Sequence, residues 1–264
     1  MKKEIRLLAD ILLAIAVFVV TRFLLNYVGF GLNDFGRVGV FLAIIFYFVY
    51  TSAQKKGLSL REIGLGLPRK NHWLLIFALM IGVSFFTPVL FLPGKWVIQP
   101  FDAAYWLGIF LPKFLHSGLG SGICEELLFR GYLMKHTEKQ YGRRKAIFLT
   151  SLVFGLVHLL NGGFTSTMDM VWTVFYTGML GAILAMLTYA TGSLVYPMIA
   201  HAIINVTHVF VGNGIPGMAP ARVLYAIGEV SSQEILKAKI GEGLGCVLVL
   251  AFLIWYSKKH PVDE

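Results

Sequence analysis

Long apolar runs alternate with short polar or basic stretches along the whole chain. A helix that crosses a bilayer needs about 20 mostly apolar residues. Eight stretches approach that length: 7–28, 36–53, 73–93, 105–134, 145–161, 170–190, 193–212 and 243–257. The pattern predicts an all-α fold, a polytopic membrane helix bundle of about eight transmembrane helices. It reads as a single membrane domain over residues 1–264. The fourth stretch is long and is expected to tilt or break near Pro112 or the glycines of SGLGSG. The sixth and seventh are separated only by ATGS, which predicts a tight turn. Between the last two spans, ARVLYAIGEVSSQEILKAKI reads as an amphipathic helix lying on the membrane surface. The N-terminus has the basic start and apolar run of a signal peptide. It lacks a small-x-small cleavage pattern followed by a polar segment, so it reads as a retained first helix.

Composition sharpens the membrane reading. Hydrophobic residues make up 57% and charged residues 14% of the 264, against about 25% charged in soluble domains. The formal charge of +9 is distributed as cytoplasmic loops require. Lys2, Lys3 and Arg6 precede the first span; Lys55, Lys56, Arg61, Arg69 and Lys70 follow the second. Lys135, Lys139, Arg143, Arg144 and Lys145 follow the fourth, and Lys258 and Lys259 follow the eighth. The alternate loops hold few cations, so both termini read as cytoplasmic, which an even number of spans allows. No basic patch is interleaved with stacking aromatics, which argues against nucleic acid as a partner. Cys124 and Cys246 stand apart in apolar runs and read as buried small residues, not as a disulfide or thiolate metal site.

Ionisable residues inside spans need a reason to be there. SGICEELLFRGYLM carries Glu125, Glu126 and Arg130. Glu126 and Arg130 are four apart with the acid first, the favourable ion-pair arrangement. Glu125 lies about 100° round the helix from Glu126 and is left over. A buried carboxylate without a cation holds protons more tightly, which suits general-base work near neutral pH. On the fifth span, FGLVH places Phe154 four residues before His158. On the seventh, HAIIN places His201 and Asn205 on one face, with His208 further along it. His116 and His208 read as interhelical hydrogen bonders. Arg22 is close enough to a helix end to snorkel. Counted at 1.5 Å per residue, Glu125, His158 and His201 fall at overlapping depths from the cytoplasmic loops, so three helices are expected to meet in one polar cavity.

The three motifs EELLFR at 125–130, FGLVH at 154–158 and HAIIN at 201–205 together resemble the CAAX prenyl endopeptidase and bacteriocin-processing (Abi, CPBP) family of intramembrane proteases. The resemblance covers roughly residues 105–210, which it makes the catalytic core. It implies hydrolysis of a peptide bond in a membrane-associated substrate, at a site open to the cytoplasmic side, in a bacterial plasma membrane. The substrate class it implies is a peptide or lipidated protein, prenylated or resembling a bacteriocin or signal peptide. By the resemblance, Glu125 activates water, His158 helps hold it, and His201 and Asn205 stabilise the oxyanion; Glu126, Arg130 and Phe154 support them. Zinc is a second branch. Glu125, His158 and His201 are a possible Glu/His₂ set with an open position, although no H-E-x-x-H helix is present. Other readings are a serine protease using Ser121 and His201, a transporter, and a non-catalytic immunity or scaffold protein that binds a peptide partner.

Overall fold

The computed structural model describes residues 2–28, 31–66, 77, 78, 81, 92–96, 103, 106–207, 211–213, 225–227, 229 and 231–260. Most of the expected third span, 73–93, and His208 lie outside these residues. The described chain is helical, as the apolar runs predict. Helix α1 is Lys2–Phe23, continued by a π-helical turn at Leu24–Val28, and α2 is Asp34–Lys55, opened by Asn33, whose side chain accepts from the Gly36 N–H. Strands β1, Gly94–Trp96, β2, Val211–Asn213, and β3, Tyr225–Ile227, form a small sheet with β3 in the middle. These three-residue strands are the one departure from an all-helical chain among the described residues.

One unbroken helical run, α3, extends from Trp106 to Tyr141. Of the tilt or break expected near Pro112 and SGLGSG, no break occurs. Wide π-helical turns at Trp106–Phe110 and Phe114–Ser121 flank the short α-helical piece holding Pro112. The helix absorbs the missing proline N–H and the glycines by widening, not by ending. A third wide turn, Leu127–Leu133, follows the α-helical stretch Gly122–Glu126. Helix α4, Arg143–Val157, ends in a 3-10 turn, His158–Asn161. Helix α5, Thr167–Thr191, ends at Gly192 in the left-handed conformation, the tight turn expected at ATGS. Helix α6 is Val195–Thr207, shorter than a span; α7 is Ser232–Lys259. The surface helix expected over residues 221–240 is not separate. Its second half is the start of α7, because the capping box of Ser231 and Glu234 starts a helix there that continues through Gly241, Gly243 and Gly245.

Among the described residues four helices are long and apolar enough to cross a membrane: Asp34–Lys55, Arg143–Asn161, Thr167–Thr191 and Ser232–Lys259. Their outward faces are apolar. Val40, Ile44 and Phe46 on α2, and Leu244, Val247, Leu248 and Trp255 on α7, are all exposed. That pattern suits hydrocarbon as the solvent.

Buried side chains gather in two main cores. One joins Phe18, Phe41, Ile45, Leu128, Phe129 and Phe154, from α1 to α4; the other joins Ile183, Leu184, Ala200, Ile204 and Leu253, from α5 to α7. At one end, Lys56 and His136 both reach Asp10, at 2.6 and 3.1 Å. Lys139 donates to the Gly57 carbonyl at 2.6 Å, so the basic loops of three helix ends are tied together.

Candidate active site

The polar residues of α3 and α6 meet between the two cores. Glu125, Glu126, Arg130 and His201 are all buried, and Glu126 is wholly shielded from solvent. Close approach of the two helices makes this possible. A Cβ on Gly122 would stand 3.2 Å from the Ala202 nitrogen and 3.3 Å from its Cα, so any larger residue would have to push the two backbones slightly apart.

Glu126 Oε1 accepts from two donors at once, Arg130 Nη1 at 2.9 Å and His201 Nδ1 at 2.7 Å. The ion pair inferred from spacing is present, and Glu126 is also the anchor of His201. With Nδ1–H committed to Glu126, the other ring nitrogen, Nε2, stands 3.8 Å from Glu125 Oε2. The Arg130 guanidinium lies over the Phe154 ring, 4.2 Å from its centroid, a desolvated cation–π contact. Two carboxylates against one guanidinium leave one formal negative charge.

His158 is placed by the end of α4. Its Nδ1–H donates 2.7 Å to the Phe154 carbonyl, one of the orphan acceptors of a helix terminus. Its ring packs 4.5 Å from the Phe154 ring, which also meets His201 at 5.9 Å and Phe129 edge-on at 5.0 Å. Nε2 of His158 is thereby the nitrogen left for chemistry. Glu125 and His158 line one cavity of about 370 Å³ with Phe18, Arg22, Tyr27 and Asn161. His201 stands behind Glu125, and neither it nor Asn205 is in the wall. Asn205 donates one amide hydrogen to the Ser117 carbonyl at 2.8 Å and keeps the second.

The remaining candidates fall elsewhere. His116 bonds Asp34 at 2.9 Å, the interhelical role expected of it. Ser121 lines a different cavity with His116, and among the described residues no hydrogen bond joins it to His201. Glu125, His158 and His201 are donor types that zinc takes, and both imidazoles have the anchored Nδ1 of metal-bound histidines. They do not converge, however: no group of three His, Cys, Asp or Glu among the described residues is gathered closely enough to hold an ion. Spacing carries no sign of the Glu126–His201 bond, which joins residues 75 apart. The Ser117 carbonyl has a weak signal, the glycines that widen its turn. Arg22, exposed in the last turn of α1, also forms part of a cavity wall.

The fold and site define a helical membrane protein with a buried carboxylate–histidine cluster opening into a cavity. Residues 106–207 match the family described as Type II CAAX prenyl endopeptidase Rce1-like, and that segment holds all three motifs. Four helices among the described residues, apolar enough to cross a membrane, make a lipid bilayer the surroundings of this segment. No curated protein sequence matches the chain.

Proposed function

We propose that the chain is an intramembrane endopeptidase in which Glu125 activates water for attack on a substrate peptide bond, with residues 105–210 as its catalytic core. The observation that carries this reading is that the carboxylate of Glu125 shares a cavity with His158 and is backed by a histidine whose far nitrogen is held by a second carboxylate.

The working state in this scheme is the charge-balanced one. With Glu125 ionised and His201 protonated, the two glutamates balance Arg130 and His201. Water bound between Glu125 and Nε2 of His158 gives its proton to Glu125 as its oxygen adds to the carbonyl carbon. The oxyanion takes hydrogen bonds from Nε2–H of His201 and the second amide hydrogen of Asn205; both stand outside the cavity wall, so substrate binding must bring them to it. His201 can donate there only as imidazolium, because Nδ1–H is spent on Glu126; the Glu126 carboxylate stabilises that charge. Glu125 then passes its proton to the leaving nitrogen as the C–N bond breaks, releasing an acid and an amine.

This scheme routes no step through a metal. Activity that survives removal of metal from the purified protein supports it; activity lost on chelation and restored by zinc supports the alternative branch.

The same proposal places the termini and basic loops in the cytoplasm of a bacterial plasma membrane, with about eight spans. On α1 the cavity is lined by Phe18 to Tyr27, the half away from Lys2 and Lys3. A membrane-held substrate therefore reaches Glu125 most directly by sliding in from lipid between α1 and the end of α4, in place of a path through the cytoplasmic loops. Lipidated or otherwise membrane-bound peptides fit such a path. A panel of prenylated and unprenylated peptides, offered to reconstituted protein and to Glu125→Gln, tests both parts. Cleavage of any member by wild type alone supports the peptidase; equal cleavage by both proteins contradicts it.

A further inference from the structure

A second cavity, of about 320 Å³, lies beside the catalytic one where α1, α2 and α3 come together. Its rim is basic. Arg22, Arg37 and Lys113 line it, and among the described residues none of the three pairs with a carboxylate. Asp34 is already bonded to His116, at 2.9 Å. Among the described residues Arg37 spends only its Nε–H, on the Leu32 carbonyl at 2.9 Å. The floor is apolar, built from Leu25, Val38 and Phe41.

We propose that this cavity binds the phosphate group of an anionic membrane lipid. Cations with no carboxylate partner among the described residues, on a half-enclosed rim, call for an anion, and two guanidinium groups beside an ammonium suit phosphate oxygens. The volume is about ten times the ~30 Å³ share of a water molecule, room for a headgroup and not merely a bare ion. Surroundings favour lipid as the source. Phe23, Tyr27 and Val28 on α1 and Leu107 on α3 are exposed apolar residues near the same helix ends, and the floor accepts the first methylenes of a chain. Basic pockets between membrane helices take anionic headgroups for the same reasons.

Arg22 lines both cavities. A phosphate seated beside Lys113 and Arg37 therefore competes with the catalytic cavity for that guanidinium, so lipid composition is coupled to the electrostatics around Glu125. The inference rests on the chain being membrane-embedded and not on the peptidase reading, and its test measures binding alone.

Native mass spectrometry of the full-length protein in detergent, with phosphatidylglycerol or phosphatidylcholine added, reads it. Wild type should retain phosphatidylglycerol preferentially. Each cation removed should weaken retention by about fivefold, in Lys113→Gln and again in Lys113→Gln with Arg37→Gln. Lys113 is exposed, so Lys113→Gln alone keeps the test valid if the double variant misfolds. Equal retention by wild type and Lys113→Gln overturns the proposal. Displacement of the lipid by inorganic phosphate keeps the site and overturns its lipid source. Displacement by a short peptide with a free carboxylate, but not by its amide, reassigns the cavity to a peptide terminus and overturns the proposal.

Discussion

Glu126 Oε1 serves Arg130 and His201 together, and this sets apart the two neighbouring glutamates. Breaking a buried ion pair leaves a charge without compensation, at a cost of about 3–5 kcal/mol. Glu126→Ala should therefore lower thermal stability by that order and lose activity with it, as measured by unfolding in detergent. Glu125 faces the cavity, and its approach to His201 Nε2, at 3.8 Å, is too long for a hydrogen bond. Glu125→Gln should cut the rate by about 10²–10⁴-fold with the unfolding midpoint unchanged. Asn205→Ala should cost about 10²–10³ in rate. A larger stability loss there would mean that its bond to the Ser117 carbonyl is its whole purpose. Outside the spans, burial and then the charge of Lys56 hold the His136 imidazole below its ordinary 6.5, against the opposing pull of Asp10. The unfolded chain thus takes up a proton first as pH falls. Stability should decline on acidification below about 6.5, and His136→Gln should flatten that decline in a pH series of unfolding midpoints.

At the scale of elements, spacing makes EELLFR legible because the Glu126–Arg130 pair depends only on one turn of helix. The turn at ATGS is equally legible, since glycine supplies the left-handed conformation at a helix end. What joins different helices is not. Nothing local to HAIIN says that His201 finds Glu126, and nothing in FGLVH says that His158 closes α4 by donating to the Phe154 carbonyl. Pro112 and SGLGSG read as a break because a regular α-helix cannot absorb them, whereas wide turns can. Helix packing around the site carries its own prediction. A Cβ at Gly155 would lie 2.5 Å from the Val174 carbonyl oxygen, a contact with α5 backbone that no rotamer relieves. Gly155→Ala should push α4 from α5 and destabilise by about 1–3 kcal/mol. Because α4 carries Phe154 and leads into His158, activity should fall as well.

For the whole molecule, the outward apolar faces and the buried Glu–His cluster are two solutions to one problem, the cost of polar groups in hydrocarbon. Composition alone makes the membrane class plain. The domain match and the site lie in the same segment, α3 to α6, while α1 lends Phe18, Arg22 and Tyr27 to the cavity from outside it. That Glu125 performs hydrolysis is the claim on which the rest depends, and a comparison of membrane peptidomes tests it most directly. Cells carrying wild-type protein should show a set of new peptide termini that is absent when Glu125→Gln is expressed at the same level and stability. Identical peptidomes from the two, with full biological activity in the variant, would contradict the peptidase and leave a peptide-binding scaffold.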